Sequence, residues 1–251
     1  MTASNQFWTE RSVPGSPSWP FFRGRFLARY RYAFPFATGG AVLDVACGAG
    51  YGSYLLATDG GARQVTGVDI SGEAVAYARE HYGEPHLRFR VGNGQDVAGM
   101  GPFYLVTSMG TLEHVENPQA FVAAVASVMT PKALWLVTML NQARHDSRDP
   151  FHHQELEAPE LRGLLEGGFS DVTLLGLHLR ETGEAKQRRN ASRLAPVPAP
   201  LKRLAKAVIG PALTWKISLA GALTYEAEDY LWTPDDLGSS IEFLGVCRRP
   251  R

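Results

Sequence analysis

Asp44 sits in the middle of an apolar, strand-length run, Val42-Leu43-Asp44-Val45-Ala46, and Gly48, Gly50 and Gly52 crowd the residues that follow. Glycine at 48 and 50 permits positive φ and lets a ligand come close to the backbone, where a side chain would obstruct it. A helical pattern begins directly behind, so the free N–H groups of a helix start arrive at the same point. The guest that suits such a turn is an adenosine-type cofactor. Asp69 closes the next apolar run, Gln64-Val65-Thr66-Gly67-Val68-Asp69-Ile70, at the spacing expected for a carboxylate that binds both ribose hydroxyls.

Two details choose among adenosine cofactors. The dinucleotide fingerprint calls for a third glycine three residues after the second, and Ser53 stands there instead. Asp44 is the other detail: a strand carboxylate is costly unless hydrogen-bonded, and the N–H groups of the turn are the expected donors. Its charge repels a pyrophosphate and attracts the sulfonium and ammonium groups of S-adenosyl-L-methionine. Both details count against the rival enzyme class, an NAD(P)-dependent oxidoreductase. Intact Asp44, Gly48, Gly50 and Asp69 count against a non-catalytic cofactor-binding protein of the same fold.

The stretch Asp44-Val45-Ala46-Cys47-Gly48-Ala49-Gly50 resembles motif I (D/E-x-x-x-G-x-G) of the class I S-adenosylmethionine-dependent methyltransferases, and the chain is similar to the small-molecule type of bacterial glycan and natural-product pathways. The resemblance implies S-adenosyl-L-methionine as cofactor, bound by Tyr30, Arg31, Asp44, Ala46, Gly48, Gly50, Asp69, Ile70, Asn93, Gly94 and Met109. Tyr30 and Arg31 match a Tyr-Arg pair that precedes the first strand in similar enzymes; the alternative is an amphipathic helix with solvated arginines. Asn93 replaces the usual aspartate of a Gly-Asp-Ala element, and its carbonyl oxygen is still able to accept a hydrogen bond from the adenine amino group.

Glu113-His114-Val115 resembles an element found after the fourth strand of these enzymes, and Asp149-Pro150-Phe151-His152-His153-Gln154-Glu155-Leu156 resembles the NPFHxxEF element found after the fifth. These imply His114 and His152 as catalytic or positioning groups, with Glu113, His152 and Glu155 toward the acceptor. A histidine ordinarily titrates near neutral pH and can take the proton of an attacking hydroxyl; the alternative for His114 is a structural helix cap. No metal site is expected, because only one carboxylate accompanies His152 and His153 and their spacing fits no standard cage. The loop Gly110-Thr111-Leu112-Glu113 lacks the Pro-Pro-aromatic signature of DNA amino-methylation, and no Pro-Cys pair is present for attack on cytosine.

The elements that must carry these residues follow from periodicity. Helices are expected over 21–36, 51–58, from Ser71 as N-cap, over 119–129 and over 157–167, with strands at 42–46, 64–70, 86–91, 103–109, 133–139, 169–177 and 240–247. The fold is an α/β, Rossmann-like doubly wound sheet of about seven strands, the last antiparallel, with an inserted helical lid region. Residues 1–36 form an N-terminal arm and helix, 37–179 and 238–251 the cofactor-binding core, and 180–237 an insertion. That insertion runs from basic (Arg188, Arg189, Lys202, Arg203) through apolar to acidic (Glu226, Glu228, Asp229). A substrate lid, peripheral contact with anionic lipid, a dimer interface and a solvated linker are its candidate roles.

Zero formal net charge offers no global attraction for nucleic acid. The two cysteines, Cys47 and Cys247, form no disulfide or zinc pattern, the N-terminus has no apolar signal core, and the apolar stretch after 208 carries Pro211 and Lys216, against a transmembrane helix. A cytoplasmic enzyme acting on a hydroxyl, or with less support an amine, of a small-molecule acceptor such as a sugar, glycan precursor or natural product is the expectation.

Overall fold

The computed structural model describes residues 13–16, 19–144, 152–154, 156–186 and 225–251. The chain begins with α1 (Trp19–Ala37) and then alternates β1 (Ala41–Val45), α2 (Tyr51–Ala57), β2 (Gln64–Asp69), α3 (Gly72–His81), β3 (Leu87–Val91), β4 (Phe103–Met109), α4 (Pro118–Ser127) and β5 (Met129–Leu140). After the fifth strand come α5 (Ala158–Glu166), β6 (Phe169–Leu179), β7 (Tyr230–Thr233) and β8 (Glu242–Pro250). The strands form one sheet of order β3-β2-β1-β4-β5-β8-β6-β7. Strands β1 to β5 pair in parallel, whereas β8 runs antiparallel between β5 and β6. Direction of winding reverses between β1 and β4, and the crevice beyond their carboxyl ends is where such a sheet takes a ligand.

Local sequence explains the boundaries. Ser71 caps α3 by accepting from Ala74 N at 3.2 Å, Asn117 caps α4 by accepting from Ala120 N at 3.0 Å, and Glu157 and Glu160 form a reciprocal capping box at α5. The central parallel strands β1, β4 and β5 read as largely apolar runs because both faces are covered, whereas the edge strand β3 alternates, with Arg88 and Arg90 exposed. One face packs Phe121, Val122, Leu161 and Leu165 of α4 and α5 against Trp135 and Val137; the other packs Tyr30, Leu56, Val75 and Ala78 of α1 to α3 against Val65 and Leu136. Burying one such side chain contributes roughly 1.5–3 kcal/mol.

Two differences from the sequence reading concern the sheet. Strand β5 starts at Met129, four residues before the expected 133, so Pro131 and Lys132 lie inside it; an irregularity in the pairing with β4 between Phe103 and Leu105 accommodates the proline. The sheet gains an eighth strand, β7, from the acidic end of the 180–237 segment, and it pairs antiparallel with β6. That acidic end also anchors α1: Glu226 pairs with Arg23 and Glu228 with Arg31. Most of the arm, residues 1–12 and 17–18, together with the basic and apolar run over 187–224, lies outside the described residues. No helix among the described residues is long and apolar enough to cross a membrane.

Candidate active site

A cavity of about 760 Å³ opens at the carboxyl ends of β1, β2 and β4, under α1. Its floor is the glycine turn. Gly48 has φ 57°, and a Cβ built there would find no atom within 4 Å, so the backbone is bare toward the cavity. Gly50, the N-cap of α2 at φ 86°, serves packing instead: a Cβ there would meet Ala78 Cβ at 2.5 Å and the Phe89 ring at 2.9 Å. Ala46 also adopts positive φ, 59°, at the cavity wall. For a non-glycine residue that conformation is strained, and no sequence signal announced it.

Asp69 is held in place by the turn itself. Its Oδ2 accepts from Gly48 N at 2.8 Å and its Oδ1 from Ser71 N at 2.9 Å. The turn N–H thus goes to Asp69 and not to Asp44, contrary to expectation. Asp44 is fully buried behind the turn and does not line the cavity. Three hydroxyls satisfy it: Thr107 Oγ1 donates at 2.6 Å, Ser53 Oγ at 2.7 Å and Tyr30 OH at 3.4 Å. Ser53, the residue that breaks the dinucleotide fingerprint, is therefore a ligand of the strand carboxylate. Burial pushes the Asp44 carboxyl up to about 6 despite these bonds, and the charge of Asp69 adds to the rise.

That value gives a pH dependence with a definite sign. In the free protein Asp44 holds a proton below about 6, and a ligand ammonium nearby favours the ionised form, so binding below that pH must expel the proton. Affinity for S-adenosylhomocysteine is expected to level off above pH 6 and to fall by up to about tenfold for each unit below it. Calorimetric titrations between pH 5 and 8 check this. The slope disappears in Asp44→Asn; a flat profile in the wild type would remove Asp44 from any part in binding.

The remaining expected cofactor residues divide. Ile70, Asn93, Gly94 and Met109 line the cavity together with Ala46, Gly48 and Asp69. Asn93 Oδ1 already accepts from Gln95 N at 3.0 Å, which leaves its second lone pair for a ligand. Tyr30 lines the cavity, and Arg31 does not: it projects from the opposite side of α1 to Glu228. Arg25 and Arg29 take the place expected for Arg31. They lie one helical turn apart on the cavity side, interleaved with Phe22 and Phe26, and the Arg25 guanidinium carbon lies 5.6 and 5.5 Å from those two rings. The i, i+4 repeat of Phe22/Phe26 and Arg25/Arg29 was the overlooked signal.

The two arginines differ in what they hold. Arg29 is buried and makes a fork to Glu242 at the start of β8, with Nε to Oε1 at 2.8 Å and Nη2 to Oε2 at 2.5 Å. Burial alone disfavours that cation, yet the Glu242 carboxylate outweighs it and raises the guanidinium pKa. Arg25 lies 3.8 Å from the same carboxylate, and its Nε has no hydrogen-bond partner among the described residues. Burial lowers the Arg25 pKa, with Glu242 opposing.

Across the cavity stand Glu113, His114 and His152. The two rings meet edge to face with centroids 4.9 Å apart. His153 N donates to the Glu113 main-chain oxygen at 2.8 Å, which ties the loop after β5 to the loop after β4. Burial raises the Glu113 pKa, while a backbone hydrogen bond and the neighbouring His114 lower it. Cys47 also lines the cavity, but burial pushes its thiol well up and makes it inert as a nucleophile. Glu155 lies outside the described residues.

A methyltransferase-domain family model matches residues 42–132. A probable S-adenosylmethionine-dependent methyltransferase of Mycolicibacterium smegmatis is 28% identical over 96% of this chain and 94% of its own length. The chain belongs to the class I S-adenosylmethionine-dependent methyltransferases. Its cofactor is S-adenosyl-L-methionine, and it is an enzyme. A ubiquinone biosynthesis O-methyltransferase of Xanthomonas campestris is 39% identical over 45% of this methyltransferase, which spans 46% of that relative. Among solved structures, a methyltransferase from Archaeoglobus fulgidus superposes with a TM-score of 0.58 at 17% identity, covering 92% of this chain and 97% of that one, a likeness of fold.

The cavity fits the cofactor on its own geometry. Open backbone at Gly48 admits the ligand, and Asp69 offers carboxylate oxygens already oriented by two N–H donors. Arg25 Nε, which has no hydrogen-bond partner among the described residues, offers a donor to an anion.

Proposed function

We propose that this methyltransferase methylates a hydroxyl of a small molecule, of the class of sugars, glycan precursors and natural products, with Asp69, Gly48, Ile70, Asn93 and Met109 around the cofactor and Glu113, His114 and His152 around the acceptor. Bound in the cavity, S-adenosylmethionine supplies an electrophilic sulfonium methyl. Arg25, in place of Arg31, binds the cofactor carboxylate. Tyr30 joins it by fixing the Asp44 carboxylate beneath the turn.

The observation that carries the acceptor assignment is the edge-to-face pair of His114 and His152 on the cavity wall. Two imidazoles at 4.9 Å provide a donor and an acceptor for one hydroxyl, and His114 takes its proton as the oxygen attacks. Arg25 in the same cavity disfavours a protonated amine acceptor. The ubiquinone O-methyltransferase relative points the same way, toward oxygen in a small molecule. Two buried free cysteines fit a reaction in the cytoplasm.

The test is a screen of hydroxylated acceptors with S-adenosylmethionine, reading S-adenosylhomocysteine release, repeated on His114→Ala and His152→Ala. Methyl transfer rests largely on alignment, so each substitution is expected to lower kcat about a hundredfold, the low end of what a proton-transferring group contributes. Affinity for S-adenosylhomocysteine should stay unchanged. Full turnover in both variants would take the histidines out of the chemistry.

A further inference from the structure

Glu113, His114 and His152 come from two loops that backbone bonds hold together. His153 N donates to the Glu113 carbonyl at 2.8 Å, and Gln154 Nε2 donates to the Leu112 carbonyl at 2.9 Å. One donor atom from each of the three, a carboxylate oxygen and a ring nitrogen of each histidine, lies within 4.8 Å of the other two. Glu113 is 2% exposed, and its Oε2 has no hydrogen-bond partner among the described residues. A buried carboxylate oxygen with no donor is costly, and a cation relieves that cost while using both imidazoles.

We propose that Glu113, His114 and His152 bind one divalent transition-metal ion of the zinc and manganese class, whose open positions face the cavity and receive the acceptor hydroxyl. Two imidazoles and one carboxylate suit such ions, whereas magnesium and calcium prefer all-oxygen sites. Three protein ligands leave at least one position for a water or substrate oxygen. Donors on a single ion stand about 3.4 Å apart when each is about 2.1 Å from it, so the site closes by a small rotation of the exposed His114. The sequence alone argued against a metal because His152 and His153 had a single local acid; the fold brings a second one, Glu113, from the loop after β4. With the ion bound, His114 is a ligand and no longer the proton acceptor, and the ion in its place would acidify the acceptor hydroxyl; that hydroxyl-binding role rests on the methyl-transfer reading, and the metal site itself does not.

The experiment uses tag-free, chelator-treated protein titrated with Co²⁺, followed by visible absorption, and with Zn²⁺ in competition. One equivalent is expected to bind the wild type and His81→Ala, a surface-histidine control. Glu113→Gln and His152→Ala should each weaken binding at least about tenfold, the loss that even an outer-shell substitution causes. Titration with S-adenosylhomocysteine reports the fold of every variant; if Glu113→Gln loses that affinity, His152→Ala carries the test. Absence of stoichiometric binding, equal affinity in both site variants, or an equal loss in His81→Ala overturns the site. Metal binding without S-adenosylhomocysteine binding would sink the methyl-transfer reading alone, and the reverse would sink the metal site alone.

Discussion

Asp69→Ala is expected to weaken S-adenosylhomocysteine binding by about a thousandfold. Two hydrogen bonds from ribose hydroxyls to a carboxylate are worth roughly 1.5–3 kcal/mol each, and a thousandfold in Kd is about 4 kcal/mol. The substitution has a second effect at the same point. Gly48 N and Ser71 N, which donate to Asp69 at 2.8 and 2.9 Å, lose their acceptor, and the turn loses what fixes it. Asp69→Asn separates the two effects: its carbonyl keeps one of the turn bonds while the charge is gone, so its loss should fall between wild type and alanine. Isothermal titration with S-adenosylhomocysteine, and with NAD as a control ligand, reads both variants. Unchanged affinity in Asp69→Ala would place the ribose elsewhere in the cavity.

Glu242→Gln is expected to destabilise the fold by about 3–5 kcal/mol, because it leaves the Arg29 cation buried without its fork. For a chain of this size that is a fall in Tm on the order of 10 °C. The double variant Arg29→Met/Glu242→Leu should recover most of the loss, since removing both charges also removes their desolvation cost. Thermal unfolding of the two variants beside the wild type makes the comparison. Arg29 also packs tightly at the carboxyl end of β4, where its Nη1 lies 3.0 Å from where a Cβ on Gly110 would stand. A Tm for Glu242→Gln within 2 °C of wild type, roughly the effect of less than 1 kcal/mol, would show that the fork is not what holds α1 to β8.

Much of the cofactor site was legible in the sequence because its parts are close along the chain. Asp44, Gly48, Gly50 and Ser53 belong to one strand-turn-helix segment, and Asp69 closes the strand that pairs beside it, Asp44 opposite Gly67. Backbone rules link spacing to position over such distances: glycine marks the positive φ, and period-2 and period-3.6 patterns set the elements. The partner of each carboxylate was not legible, since the choice between turn N–H groups and hydroxyls for Asp44 depends on where Thr107 and Tyr30 arrive.

The sequence by itself determined the class of fold, the cofactor and the glycine turn that receives it. Only the tertiary structure decided which face of α1 looks into the cavity. Arg31 points away from the cavity and pairs with Glu228, while Arg29 is held beside it by the buried Glu242, both acids from the far end of the chain. It also decided that Glu113 meets His152, through backbone bonds between two loops. Charged side chains carry no periodic signal of their partners, and an ion pair between residues far apart in sequence forms only once packing of the apolar layers has fixed the elements that bear them.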